Sequence, residues 1–283
     1  MPAATVAEII GAARSSSRGV GAFNVIGIEH AEAIVAGAES ANAPVILQIS
    51  ENCVAYHGAL EPIGRAVLAV ASAASVPAAV HLDHATSAEL IKEAAGLGFG
   101  SVMYDASRLS YQENVRATAC IGAWCHDRGI WLEAELGEVG GKDGVHDPRA
   151  RTEPAAAAAF ACATSVDALA VAVGSSHAMI TRDAVLDLDL VRRIHAAVPV
   201  PLVLHGSSGV PDATLRAAVA AGLTKINIAT QLNKVFTAAV RGCLAADAAM
   251  TDPRRYLSAG REAIATEVSR LLGVLQADRG SRQ

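Results

Sequence analysis

Short apolar runs, many rich in β-branched residues, recur along the chain with helical stretches between them. This alternation restricts the fold more than any other feature. Eight runs are read, at 19–25 (GVGAFNV), 44–49 (PVILQI), 77–82 (PAAVHL), 100–105 (GSVMYD), 129–136 (GIWLEAEL), 167–173 (DALAVAV), 200–205 (VPLVLH) and 224–229 (TKINIA). Continuous apolar strands of this kind are buried on both faces, as in a parallel sheet covered by helices. Between them, segments such as EHAEAIVAGAESAN and SAELIKEAAGLGF carry apolar residues at i, i+3, i+4 and i+7, the pattern of an amphipathic helix. Asn42, Gly98 and Gly222 close several of these segments as helix stops. Eight strand–helix repeats predict an α/β fold, a (β/α)8 TIM barrel forming a single domain over residues 1–283 with a C-terminal helical tail. An open doubly wound sheet is the alternative, but no GxGxxG follows the first strand.

Composition narrows the class of function. Apolar residues make up 52% of the chain, ample for a core and contrary to global disorder. A net charge of −5 with only 23 Lys and Arg leaves no basic stripe for a nucleic-acid backbone. The five cysteines (Cys53, Cys120, Cys125, Cys162, Cys243) are scattered, odd in number and without CxxC pairing, as expected of reduced thiols serving as small core residues. The start MPAATVAEII lacks a basic region followed by an apolar one, so no signal peptide is expected. No uncharged apolar stretch of membrane type is read either. The expectation is a cytoplasmic globular enzyme with no nucleic-acid or membrane partner.

The barrel turns scattered polar residues into one site, because chemistry in this fold gathers where the strands end. Asp83 and His84 close strand three in HLDH, and Asp105 closes strand four in a supporting role. Glu135 closes strand five, His177 lies just past strand six, and His205 closes strand seven; Asn227 and Thr230 stand at the end of strand eight. Three imidazoles are a common ligand set for catalytic zinc and leave a fourth position open for substrate. A carboxylate beside the first histidine supplies an acid/base at that position. The combination reads as a metal-dependent lyase. His81 points away from Leu82 on the pleat and is read as structural, while His57, His126, His146 and His195 look like surface or loop residues.

With those residues assembled, the chain resembles the class II, metal-dependent ketose-bisphosphate aldolases, a group that holds fructose- and tagatose-bisphosphate aldolases. The matching motifs are AFN (22–24), HLDHA (81–85), SVMYDAS (101–107), EAELGEVGG (133–141), AVAVGSSHAM (170–179), PLVLHGSSGV (201–210), KINIATQL (225–232) and DPRRYL (252–257). They run in family order from about residue 5 to 270. Each is weak alone; the set is specific.

The resemblance implies Zn2+ on His84, His177 and His205, with Asp83 as proton donor and acceptor. It implies a phosphate cradle from Gly206, Ser207 and Ser208 together with Asn227, Ile228, Ala229 and Thr230. Backbone N–H groups and a helix N-terminus suit such a cradle. Asn24 is assigned to substrate contact, and Ser50 to the distal phosphate, although SENCVAYHG (50–58) matches the family loosely. Glu135 would orient a ligand histidine or hold a second cation. Asp143, in the short loop GGKDGVHD, is the candidate acid for proton exchange at C3. Ala178 replaces the usual glycine, whose carbonyl contacts substrate or a monovalent cation, Na+ or K+. Arg254 or Arg255 would reach a partner's site in a homodimer or homotetramer. Four lysines occur (Lys92, Lys142, Lys225, Lys234), none needed as a Schiff base, and Lys225 is placed with the phosphate motif.

The expected reaction is reversible cleavage of a ketose bisphosphate to dihydroxyacetone phosphate and an aldehyde. An aldolase for another ketose phosphate, such as a deoxy-keto-sugar-acid phosphate, and a non-catalytic sugar-phosphate-binding barrel are the alternatives.

Overall fold

A computed structural model of the protein describes residues 4–136, 151–177 and 179–276. Its order begins α1 (Val6–Ser15), β1 (Val20–Asn24), α2 (Ile28–Ser40), β2 (Val45–Ser50), α3 (Glu51–His57), α4 (Leu60–Ala73) and β3 (Ala78–Ala85). It continues α5 (Ala88–Leu97), β4 (Ser101–Tyr104), α6 (Tyr111–His126), β5 (Trp131–Glu135), α7 (Pro154–Thr164), β6 (Ala168–Ala170), α8 (Leu188–Ala197) and β7 (Leu202–Leu204). A 3-10 turn (Ser207–Gly209), α9 (Asp212–Ala221), β8 (Leu223–Ile228), α10 (Thr230–Ala246) and α11 (Pro253–Gln276) complete it. The strands close in sequence order, β1 through β8, into one parallel barrel. Each of the eight apolar runs forms one of these strands. No helix among the described residues is long and apolar enough to cross a membrane.

The pleat divides each strand between two environments. Phe23, Leu47, Ile49, Leu82, Val102, Leu132, Leu169, Leu204, Ile226 and Ile228 face outward into the main core beneath the helices. The inward positions fill in layers. At the amino end α1 caps the barrel, packing Val6, Ile9, Ile10 and Ala13 on Val20, Ala22, Ile46 and Ala79. A capping box starts that helix, with Thr5 accepting from the Glu8 backbone and Glu8 accepting from Thr5. Met103, Ala168, Ala170 and Val203 form a second apolar patch. Further inward positions hold a polar group of Gln48, His81, Ser101, Glu133 and Lys225, all fully buried. The cysteines depart from expectation. Cys53 and Cys125 are buried, but Cys120 and Cys162 are exposed and Cys243 is intermediate, because the latter three sit on outer faces of helices.

One local irregularity positions the site. Successive strand residues point to opposite faces, so Asp83 and His84 cannot both face inward on a regular strand. The β3–β4 register shifts between Leu82 and Ala85, and His84 takes φ +53°. A non-glycine residue in the left-handed region is strained, and such strain collects at functional sites. Here it turns both side chains onto the same cavity.

Candidate active site

A cavity of about 180 Å3 opens at the carboxyl ends of the strands. Asn24, Ser50, Asp83, His84, His177, His205, Gly206, Ser208, Asn227, Ala229 and Thr230 line it, together with Asn52, which the motifs did not single out. Ser207 and Ile228 do not line it. Ser207 is buried and its hydroxyl donates to Leu204 O at 3.1 Å, while Ile228 packs outward under the helices. Arg254 is bound to its own neighbour Asp252 and projects into solvent, 88% exposed. Asp143 and Ala178 lie outside the described residues.

Two loops bring the later histidines together. Ser175 Oγ donates to the backbone carbonyl of His205 at 2.6 Å, tying the segment before His177 to the end of β7. Gly206 has φ +66°, and a Cβ there would stand 2.6 Å from the Ser176 carbonyl group. Only glycine accepts both the dihedral and that backbone contact.

The three rings lie at mutual centroid distances of 4.7 to 5.8 Å, and one ligand nitrogen from each falls within 4.8 Å of the others. Hydrogen bonding fixes which nitrogens face inward. His84 Nδ1 lies 2.8 Å from Asp105 Oδ2, and His205 Nε2 lies 2.8 Å from Glu133 Oε1. A carboxylate accepts, so each of these nitrogens carries the proton. The amide of Asn227 also approaches His205 Nε2, at 3.1 Å, but the charged acceptor is both nearer and stronger. The remaining nitrogens, His84 Nε2 and His205 Nδ1, therefore both present lone pairs, 2.9 Å apart. Two lone pairs at that separation repel unless a cation lies between them. Burial pushes the His205 imidazole down to about 4, despite its bond to Glu133, so this ring favours its neutral, ligating form. The donor set fits a divalent metal ion held by neutral imidazoles.

Asp83 stands next to this cluster. Its Oδ2 accepts from Asn24 Nδ2 at 3.0 Å, and Asn24 Oδ1 accepts in turn from Gln48 Nε2 at 3.1 Å. The other oxygen, Oδ1, is buried with no hydrogen-bond partner. Burial alone would raise this acid, but the imidazoles of His84 and His205 and the Lys225 ammonium outweigh it and hold it below the usual range. Asp83 is thus an ionised, oriented base with one oxygen unclaimed.

The polar far wall is built from donors. Ser208 Oγ accepts from the backbone N–H groups of Ala229 and Gln231 at 3.3 and 3.1 Å, at the start of α10. A helix N-terminus of this kind favours an anion. Across the cavity, Ser50 caps α3 by accepting from Cys53 N, which leaves its own O–H to donate.

Two features were not read from the sequence. The carboxylate on His205 is Glu133, one pleat period below Glu135. Glu135 instead lies buried within 4.8 Å of ligand atoms of His84 and Asp105, a placement compatible with either role expected of it. Lys225 does not join the phosphate wall. Its ammonium is fully buried and donates to Glu133 Oε2 at 2.8 Å. The signal was the two-residue period: Glu133 with Glu135 and Lys225 with Asn227 share inward faces. His81, read as structural, is fully buried with Nδ1 2.6 Å from Ser101 Oγ.

Comparison with known proteins points one way. A family profile described as fructose-bisphosphate aldolase class-II matches residues 4–279. The chain is 37% identical over 272 residues to a fructose-bisphosphate aldolase of Geobacillus stearothermophilus, covering 95% of each chain. It is 37% identical over 268 residues to one of Staphylococcus epidermidis, covering 93% of this chain and 94% of that one. Among solved structures it superposes on the YdjI aldolase of Escherichia coli K12 with a TM-score of 0.86 at 31% identity, covering 99% of this chain and 100% of that one.

Proposed function

The chain belongs to the class II fructose-bisphosphate aldolase family, and on that footing we propose that it reversibly cleaves a ketose bisphosphate of the fructose- or tagatose-1,6-bisphosphate type to dihydroxyacetone phosphate and an aldehyde. The observation that carries the reading is the convergence of a ring nitrogen from each of three imidazoles and the unclaimed oxygen of Asp83 on one cavity. Members of this family are metal-dependent, and this chain offers a ligand group suited to a divalent ion. Zn2+ is the ion proposed here, held by His84, His177 and His205. When bound, it supplies a Lewis acid that stabilises negative charge developing at the ketose carbonyl oxygen.

The chain's own residues do the rest. Asp83 Oδ1 takes the proton from the C4 hydroxyl as the C3–C4 bond breaks, and returns it in condensation. Asn24 and Gln48 hold the carboxylate in that orientation. Positioned proton transfer of this kind contributes about 10²–10⁴-fold. Ser208, whose O–H remains to donate, Gly206 and the N-terminus of α10 at Thr230 receive one phosphate, and Ser50 with Asn52 lies where the substrate's other end would reach. We assign C3 proton exchange to Asp143 and a monovalent-cation contact to the Ala178 carbonyl. Arg254 extends outward from the chain, as a contribution to a partner's site in a homodimer or homotetramer would require. A cytoplasmic location accords with cysteines that are all free. A non-catalytic binding barrel would have no use for an oriented base with an open oxygen beside three metal-ready imidazoles.

The test is a coupled assay for dihydroxyacetone phosphate, with fructose and tagatose 1,6-bisphosphates and a deoxy-keto-sugar-acid phosphate offered separately, each with zinc and with a chelator. Chelator-sensitive cleavage of one of the two bisphosphates is expected. Cleavage of the sugar-acid phosphate alone would move the substrate assignment, and silence on all three with metal bound would overturn the reading.

A further inference from the structure

A lysine fully enclosed by a barrel needs a reason. Lys225 and Glu133 are both wholly buried, and their ion pair sits in the layer directly beneath the histidine cluster. Stability is a poor explanation, because replacing a buried pair with apolar residues of similar volume is often neutral or stabilising. This interior can be packed without charge. Met103, Ala168, Ala170 and Val203 fill the neighbouring inward positions with apolar atoms alone.

We propose that Lys225 is a positioning residue for metal binding, fixing Glu133 so that His205 keeps its proton on Nε2 and presents Nδ1 to the ion. The chain of bonds leaves little freedom. An ammonium only donates, so Glu133 Oε2 must accept from it. That bond fixes the carboxylate plane and turns Oε1 to His205 Nε2 at 2.8 Å. Nδ1 is then left facing His84 Nε2. Without the lysine, Glu133 has rotational freedom and a weaker hold on the ring. Its other close neighbour, His81 Nε2, is 3.8 Å away and too distant to replace the bond. Partners that orient metal-bound imidazoles affect affinity by about 10–100-fold when removed. The inference deepens the proposed function and rests on His205 being a metal ligand.

Three proteins and one spectrum test it. Zinc affinity is measured by chelator competition for wild type, His205→Ala and the double variant Glu133→Gln with Lys225→Met. The double variant leaves no uncompensated buried charge and keeps an acceptor of the same shape, so its metal-free thermal unfolding is expected to match wild type. Its zinc affinity is expected to fall about 10–100-fold. A merely structural pair would change unfolding and leave affinity alone, and a folded double variant with wild-type affinity overturns the proposal. The second readout needs no variant: the 15N imidazole spectrum of metal-free wild type should show His205 as the Nε2–H tautomer. A dominant Nδ1–H form overturns the proposal equally. Failure of the underlying reading looks different, since His205→Ala would then bind zinc as tightly as wild type.

Discussion

The two ends of the barrel interior are lined by the same strands and built on opposite principles. At the amino end, β1, β2 and β3 contribute Val20, Ala22, Ile46 and Ala79, sealed by the apolar face of α1. At the carboxyl end, the same strands contribute Asn24, Gln48 and Asp83, joined by directional hydrogen bonds, and the next residue, His84, is held at φ +53°. Packing at the first end is non-directional, and any residues of suitable volume satisfy it. At the second end each polar group needs a partner of the right type at the right angle, and one oxygen of Asp83 is left without any. That oxygen is a cost in stability and a resource for chemistry. Unsatisfied and strained groups collected at one rim mark where this chain has given up stability for reactivity.

Asp83→Ala should separate the two ends most sharply. Turnover is expected to drop about 10²–10⁴-fold with bound zinc retained. The same change leaves the partly buried Asn24 amide without its acceptor, so thermal stability should fall modestly, far less than turnover does. Steady-state cleavage kinetics, metal analysis and a melting curve on one preparation decide it, and unchanged turnover would remove Asp83 from the mechanism. The mirror experiment is Ile10→Ala. Ile10 is 2% exposed between α1 and the barrel floor, and its truncation should cost about 2–5 kcal/mol while leaving turnover at 25 °C intact. Denaturant titration reads the first quantity. A matching loss of turnover in the folded protein would show that the ends are coupled and the contrast is false.

The same contrast explains what the sequence disclosed. Strands buried on both faces must be apolar almost throughout, so Val45–Ser50 and Leu202–Leu204 stand out as continuous runs whatever their neighbours are. Convergence of Asp83, His84, His177 and His205 followed from the closed barrel alone. Two kinds of information stayed hidden. The inward turn of His84 depends on a register shift against β4, a property of two strands that neither run displays by itself. The Glu133–Lys225 pair joins β5 to β8 across the barrel, and a lysine in an apolar strand reads equally well as a phosphate donor or as a buried partner until its distance to a carboxylate is known. Alternation of side chains indicates which face a residue occupies, not which of several inward neighbours it will meet.

A slope against pH tests whether the polar layer is held neutral by burial. Burial, aided by the Lys225 charge, pushes the His81 imidazole down from 6.5 to about 3, and burial takes His205 down to about 4. In the unfolded chain both take up protons near 6.5, so between pH 6.5 and about 4 the unfolded state binds more protons than the folded one. Stability is then fully present above 6.5 and is lost as pH falls, by about 1.4 kcal/mol per pH unit for each imidazole that stays neutral. The amino end contributes nothing until pH falls below about 4.5. Its titrating contact, Glu8 on Thr5, has a carboxyl held below its ordinary value, so that contact weakens only at more acid pH. Denaturant unfolding of the metal-free protein across this range should show the slope, and His81→Gln should reduce it while keeping a hydrogen-bonding partner for Ser101. A profile that is flat from pH 6.5 to 4 would mean that protons reach these rings in the folded barrel, and that its interior is far more open to water than a sealed amino end and a closed ring of strands allow.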